Sequence, residues 1–164
     1  MANFLTYGPS FCFHEGLVGC QSITDLKRKM ASIEAEFVGN SDCGNILFID
    51  HIVKEFPNAR FVVIHRELRA VEDSLLDIGL ACNGYITDAF DALKSLSIEA
   101  IHVNYDDIGL KECRAIWKWC IGTSMNDDRY YLLNKLDIQI FPEHLDMQVS
   151  KEKDSMMKLI EAIH

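Results

Sequence analysis

The sequence predicts an α/β fold in which a parallel sheet carries helices on both faces. Short apolar runs alternate along the chain with longer amphipathic stretches, the pattern of strand–helix units. The run Phe61–Ile64 is bounded by Pro57-Asn58 on one side and by charge on the other, as a strand buried on both faces is. At 164 residues and 49% apolar content, the chain buries one core and leaves little for a second, so a single domain over 1–164 is expected. Three prolines, no low-complexity run and no internal repeat agree with that.

Strands are expected near 10–13, 46–49, 60–65 and 100–104, where β-branched and aromatic residues cluster between turn signals. Helices are expected near 22–36, 50–56, 68–80, 86–97, 109–121, 126–135 and 150–163, from apolar spacing at three and four residues. Thr87 reads as the N-cap of the fourth of these, with Asp88 in its first turn, and Gly122 as the C-cap of the helix carrying Trp117 and Trp119. Asp106 and Asp107 read as caps of that same helix rather than as metal ligands. Phe141-Pro142-Glu143-His144 breaks the chain before the last helix, whose apolar stripe is Met156, Met157, Leu159 and Ile160.

The formal charge of −9 and pI near 5.0 argue against nucleic-acid binding and against anionic membrane surfaces, both of which need basic surface. A nucleotide pocket needs only local positive charge and stays open. The one basic run, Lys27-Arg28-Lys29, reads as a solvated helix face. Cysteines 12, 20, 43, 82, 113 and 120 form no C-x-x-C pair and show no His/Cys ligand spacing, so no metal site is expected. Cys113 and Cys120 share a helix face about two turns apart, too far for an easy disulfide. Cys12 and Cys82 read as small core residues. With no signal peptide and no run of eighteen apolar residues, a reduced, cytoplasmic protein is the default.

The residues with most chemistry stand at strand ends. Arg66 follows the Phe61–Ile64 run, and Ser74 lies two turns into the next helix. A sharp turn after Arg66 lets its guanidinium and the Ser74 hydroxyl converge on one phosphate, at the edge where open α/β sheets bind ligands. The plainer alternative pairs Arg66 with Glu67 or Glu72. His14 and Glu15 follow the strand at 10–13 and would emerge at the same edge. A hydrogen-bonded structural role for His14 is the competing reading. His51 probes as a helix opener, and His65 points to the other face of its strand from Arg66.

Phe56-Pro57-x-Ala59-x-Phe61-x-x-x-x-Arg66, with Ser74 eight residues later, resembles the 3′-phosphate-binding segment of sulfotransferases that use 3′-phosphoadenosine 5′-phosphosulfate (PAPS). Ile101-His102-Val103-Asn104-Tyr105-Asp106-Asp107-Ile108 resembles a later strand and turn of that family, and Trp119-Cys120-Ile121-Gly122 its following helix end. The resemblance covers roughly 45–140. It implies a sulfotransferase-like, three-layer, P-loop-like parallel sheet, with Arg66 and Ser74 on the 3′-phosphate of PAPS or adenosine 3′,5′-bisphosphate and no metal. Two departures are visible. Glu67-Leu68 stands where the family has an Asx-Pro pair, and no Ser-Gly-Thr loop for the 5′-phosphosulfate is present. Ala2–Tyr7 looks like the last turns of the helix after that loop, so the expectation is an N-terminally truncated domain that begins inside the family's first helix.

The resemblance implies transfer of a sulfuryl group from PAPS to a hydroxyl or amine acceptor, a small molecule or a glycan. His14 or Glu15 would take the acceptor's proton. The segments that would enclose the acceptor, around 17–45 and 82–90, carry no specificity motif. Without the 5′-phosphosulfate loop, transfer by this chain alone is expected to be very slow or absent. Two other classes stay open: a non-catalytic remnant that binds a nucleotide, and an interaction module using an exposed sheet edge, through which the chain would also form a homo-oligomer.

Overall fold

A computed structural model describes residues 1–77 and 84–135, the side chains of Asn3 and Tyr85 apart. The described residues divide into two compact units, Met1–Pro57 with 132–135, and Asn58–Tyr131. Each has its own pair of parallel strands.

In the first unit, helix α1 (Ala2–Leu5) leads into strand β1 (Ser10–His14), helix α2 (Ile23–Ala31), strand β2 (Phe37–Ser41) and, after a 3₁₀ stretch at Cys43–Phe48, helix α3 (Ile49–Glu55). β1 and β2 pair in parallel, Ser10 opposite Phe37 and His14 opposite Ser41. Their core comprises Phe4, Cys12, Leu17, Ile23, Leu26, Phe48 and Ile52, with Leu17 and Leu26 only 2% exposed. α2 starts where it does because Ser22 caps it. The Ser22 hydroxyl accepts from the Asp25 amide at 3.2 Å, while the Asp25 carboxylate takes the Ser22 hydroxyl and the Gln21 amide.

In the second unit, strand β3 (Phe61–His65) is followed by helix α4 (Leu68–Asp77), helix α5 (Gly84–Lys94), strand β4 (Ala100–Asn104) and helix α6 (Leu110–Ile121). β3 and β4 are parallel, Phe61 opposite Ala100 and His65 opposite Asn104. α6 turns Cys113, Ile116, Trp117 and Ile121 inward at helical spacing, and Ile116 is fully buried. Its last carbonyls are satisfied by Arg60, which donates to Trp119 O at 2.8 Å, and Trp119 Nε1 donates to Phe61 O at 2.9 Å. Helix α7 (Asp127–Asn134) follows, tied to α6 by the bidentate pair of Arg114 with Asp127.

Alternating strands and helices with parallel pairing agree with the α/β expectation, and strands at 10–13, 60–65 and 100–104 form within a residue of their expected bounds. Among the described residues the pairing forms two two-stranded sheets. Three expectations about single elements are corrected. The strand at 46–49 is instead 3₁₀ and then helix: Asp42 accepts from the Gly44 amide at 2.8 Å and starts a helical turn, and an apolar run of that length fits a buried helix as well as a strand. The real second strand lies at Phe37–Ser41, where Gly39, Asn40 and Ser41 hide the signal. Gly39 packs on Cys12, where an added Cβ would stand in ordinary contact with Sγ at 3.4 Å. Thr87 is no cap, because α5 already runs from Gly84. Asp106 and Asp107 do not cap α6 either. They form a 3₁₀ turn in which Asp107 accepts from Asn104 Nδ2, and the N-terminus of α6 is closed by Glu112 accepting from the Gly109 amide at 3.2 Å.

Gly122 ends α6 in the left-handed conformation, φ 85°, as expected. Cys82, the break at 141–144 and the helix at 150–163 lie outside the described residues. No helix among the described residues is long and apolar enough to cross a membrane.

Candidate functional site

Two strand ends carry the residues that the sequence singles out. In the second unit, β3 ends at His65 and the next residue is Arg66. The guanidinium of Arg66 lies over the Tyr105 ring, 4.6 Å from its centroid, so the turn after β4 supplies a platform for the cation released at the end of β3. The face of an aromatic ring holds a guanidinium in place without using any of its N–H groups. Arg66 Nε is shielded from solvent and has no hydrogen-bond partner. A buried N–H left unpaired costs about 1–3 kcal/mol, and an anion in the plane of the guanidinium removes that cost.

Ser74 sits on the second turn of α4 and is exposed. Tyr105 is the residue that sequence reading passed over. It stands in the Tyr105-Asp106-Asp107 turn already noted, and its 51% exposure marks it as an aromatic not used for core packing. His65 shares its strand face with Val63 and meets His102 of β4: Nε2 and Nδ1 are 2.8 Å apart and the ring planes are 19° apart, so one nitrogen donates and the other accepts. The two stand as diagonal neighbours across the sheet, because His65 is directly opposite Asn104.

In the first unit, β1 ends in His14 and turns at once. Glu15 has φ 56°, a left-handed conformation that costs a non-glycine residue roughly 1 kcal/mol or more. Its amide donates to Ser41 O at 2.9 Å. The next two amides are caught by side chains from the end of β2: Gly16 N donates to Asn40 Oδ1 at 2.7 Å and Leu17 N to Asp42 Oδ2 at 3.0 Å. Behind the turn, Lys29 Nζ donates to Gly16 O at 2.9 Å and Val18 O at 3.3 Å, and lies over the Phe13 ring. The turn therefore has its amides and carbonyls both held. It presents His14, whose side chain is 60% exposed, beside Glu15, at 26%, with Nδ1 and Oε1 3.6 Å apart.

His14 and Glu15 are thus brought together in the first unit, while Arg66 and Ser74 belong to the second. The basic run is only partly a solvated face. Lys27 pairs with Glu55 at 3.1 Å and Arg28 with Asp25 at 2.6 Å, whereas Lys29 bonds backbone carbonyls. Among the described residues, no group of three His, Cys, Asp or Glu side chains is placed to hold a metal ion. No family model, curated protein or solved structure matches this chain.

Proposed function

We propose that this chain is a sulfotransferase-family protein that binds the 3′-phosphate of PAPS, or of adenosine 3′,5′-bisphosphate, at the end of β3. The observation that carries the reading is the shielded, unpartnered Nε of Arg66 on a guanidinium already seated over Tyr105. A phosphate oxygen is the acceptor that suits it. Arginine offers two parallel N–H groups to a phosphate, and ring contact leaves those groups available. Ser74 is the second candidate ligand, from α4.

PAPS, when bound, would supply the sulfuryl group. The chain's own contribution is to bind the nucleotide's 3′-phosphate through Arg66 and to offer His14 or Glu15 as the acceptor for a proton from a hydroxyl or amine. On this reading the domain is a P-loop-like three-layer one. Two two-stranded parallel sheets support it, since a parallel pair is not a stable unit by itself and each has an edge that accepts a further strand. The edges with no further strand among the described residues favour a second reading, an interaction protein that recruits a strand from a partner.

Calorimetric titration with adenosine 3′,5′-bisphosphate tests the choice. Wild type is expected to bind, and Arg66→Ala to weaken binding roughly 10- to 100-fold, the loss of a charge-assisted contact worth about 1.5–3 kcal/mol. A folded wild type that does not bind refutes the nucleotide reading and leaves the interaction reading.

A further inference from the structure

At every other left-handed position among the described residues the chain uses glycine: Gly8, Gly19 and Gly122 have φ 58°, 81° and 85°. Glu15 alone departs from that rule. Glycine would occupy φ 56° without strain, so the carboxylate at 15 is held against a conformational cost. Gly16 beside it shows how the cost is borne. A Cβ at 16 would lie 2.4 Å from Asn40 Oδ1, so the position is cleared for an Asn40 side chain that presses against the backbone to take its amide.

We propose that Asn40 and Asp42 are positioning residues: by taking the amides of Gly16 and Leu17, they hold Glu15 left-handed so that its carboxylate stands beside His14 at the mouth of β1. This rests on the sulfotransferase reading only for the chemistry that the carboxylate serves, acceptance of a proton from an acceptor's hydroxyl or amine. The clamp itself is built from two strands in register. Asn40 stands opposite Phe13 and Ser41 opposite His14, so the residues after β1 fall within reach of the side chains at the end of β2. Asn40 Nδ2 donates to Asn45 Oδ1 at 3.0 Å, which fixes its amide with the oxygen toward Gly16. Asp42 uses its other oxygen on the Gly44 amide at 2.8 Å. Both clamping side chains are thereby oriented from behind, and Lys29 steadies the far side of the turn.

Thermal unfolding and NMR shifts of residue 15, both recorded without nucleotide, test this, so failure of the Arg66 reading leaves the outcome untouched. Glu15→Gly is expected to raise Tm by a few degrees, because glycine adopts the left-handed conformation without strain. In an Asn40→Ala background that gain should shrink, since the turn is free to relax. Asn40→Ala and Asp42→Ala should each move the Glu15 Cα and Cβ shifts away from their left-handed values. Asn40→Asp keeps the oxygen for Gly16, with Asn45 turning its amide to donate, and should retain them. A lower Tm for Glu15→Gly would overturn the proposal, and so would left-handed shifts that persist in both alanine variants.

Discussion

Cys12 lies at the centre of β1 and is 7% exposed, and burial pushes its thiol up to about 11. Burial raises Cys20 and Cys113 as well. Cys43 is the exposed thiol among the described cysteines. Since the thiolate is the reactive form, only about one Cys12 in a thousand is ionised at pH 8. A maleimide or disulfide reagent at that pH is therefore expected to label Cys43 first and Cys12 last, and peptide mapping over time checks the order. Cys12 labelled as fast as Cys43 would contradict its burial. The same shift fixes a sign in alkali. The unfolded thiol loses its proton from about pH 9 upward while the folded one keeps it, so the contribution of Cys12 to stability falls as pH rises through that window. Gly122 gives a second outcome at this scale. At φ 85° an added Cβ meets nothing nearer than Arg60 Nη1 at 3.9 Å, so the cost of Gly122→Ala is conformational, about 1 kcal/mol, and appears as a lower urea midpoint.

Helix α2 shows how much an element depends on its first turn. Ser22 accepts from the Asp25 amide, and the Ser22 hydroxyl, the Gln21 amide and Arg28 together hold the Asp25 carboxyl below the usual carboxylate range. Ser22→Ala is expected to cost about 1 kcal/mol at neutral pH. A depressed carboxyl stabilises the fold above its unfolded pKa, and that contribution is lost as pH falls through the folded value. Acid below about pH 4 should therefore narrow the gap between wild type and Ser22→Ala, as denaturant curves at two pH values would show. Elements such as α6 were legible in the sequence because Cys113, Ile116, Trp117 and Ile121 repeat at helical spacing and Gly122 punctuates the end. β3 was legible because its apolar run is uninterrupted. β2 was not, because its Gly-Asn-Ser end has little strand propensity and Asn40 there serves the clamp on Gly16. For the same reason the site was half visible. Arg66 and His14-Glu15 announce themselves by position at strand ends, while Asn40, Asp42 and Tyr105 matter through pairing across a sheet or turn, which no local pattern records.

At the scale of the whole molecule, each unit keeps one parallel pair, and among the described residues no third strand is paired with its outer edges. Concentration-dependent self-association through these edges is the expected result, readable by sedimentation velocity. A strictly monomeric chain across a wide concentration range would count against it. The placement of the tryptophans offers an optical handle on the same molecule. The chain has two, Trp117 and Trp119, and both lie on α6 within Asn58–Tyr131, one bonded to Thr123 Oγ1 and the other to Phe61 O. Indole emission is therefore a private reporter of that unit, whereas far-ultraviolet dichroism sums helices from both. Superimposable melting curves from the two signals would mean that the halves of the chain stand or fall together. A fluorescence change that runs ahead of the dichroism would show the Asn58–Tyr131 unit loosening while the Glu15 turn still holds.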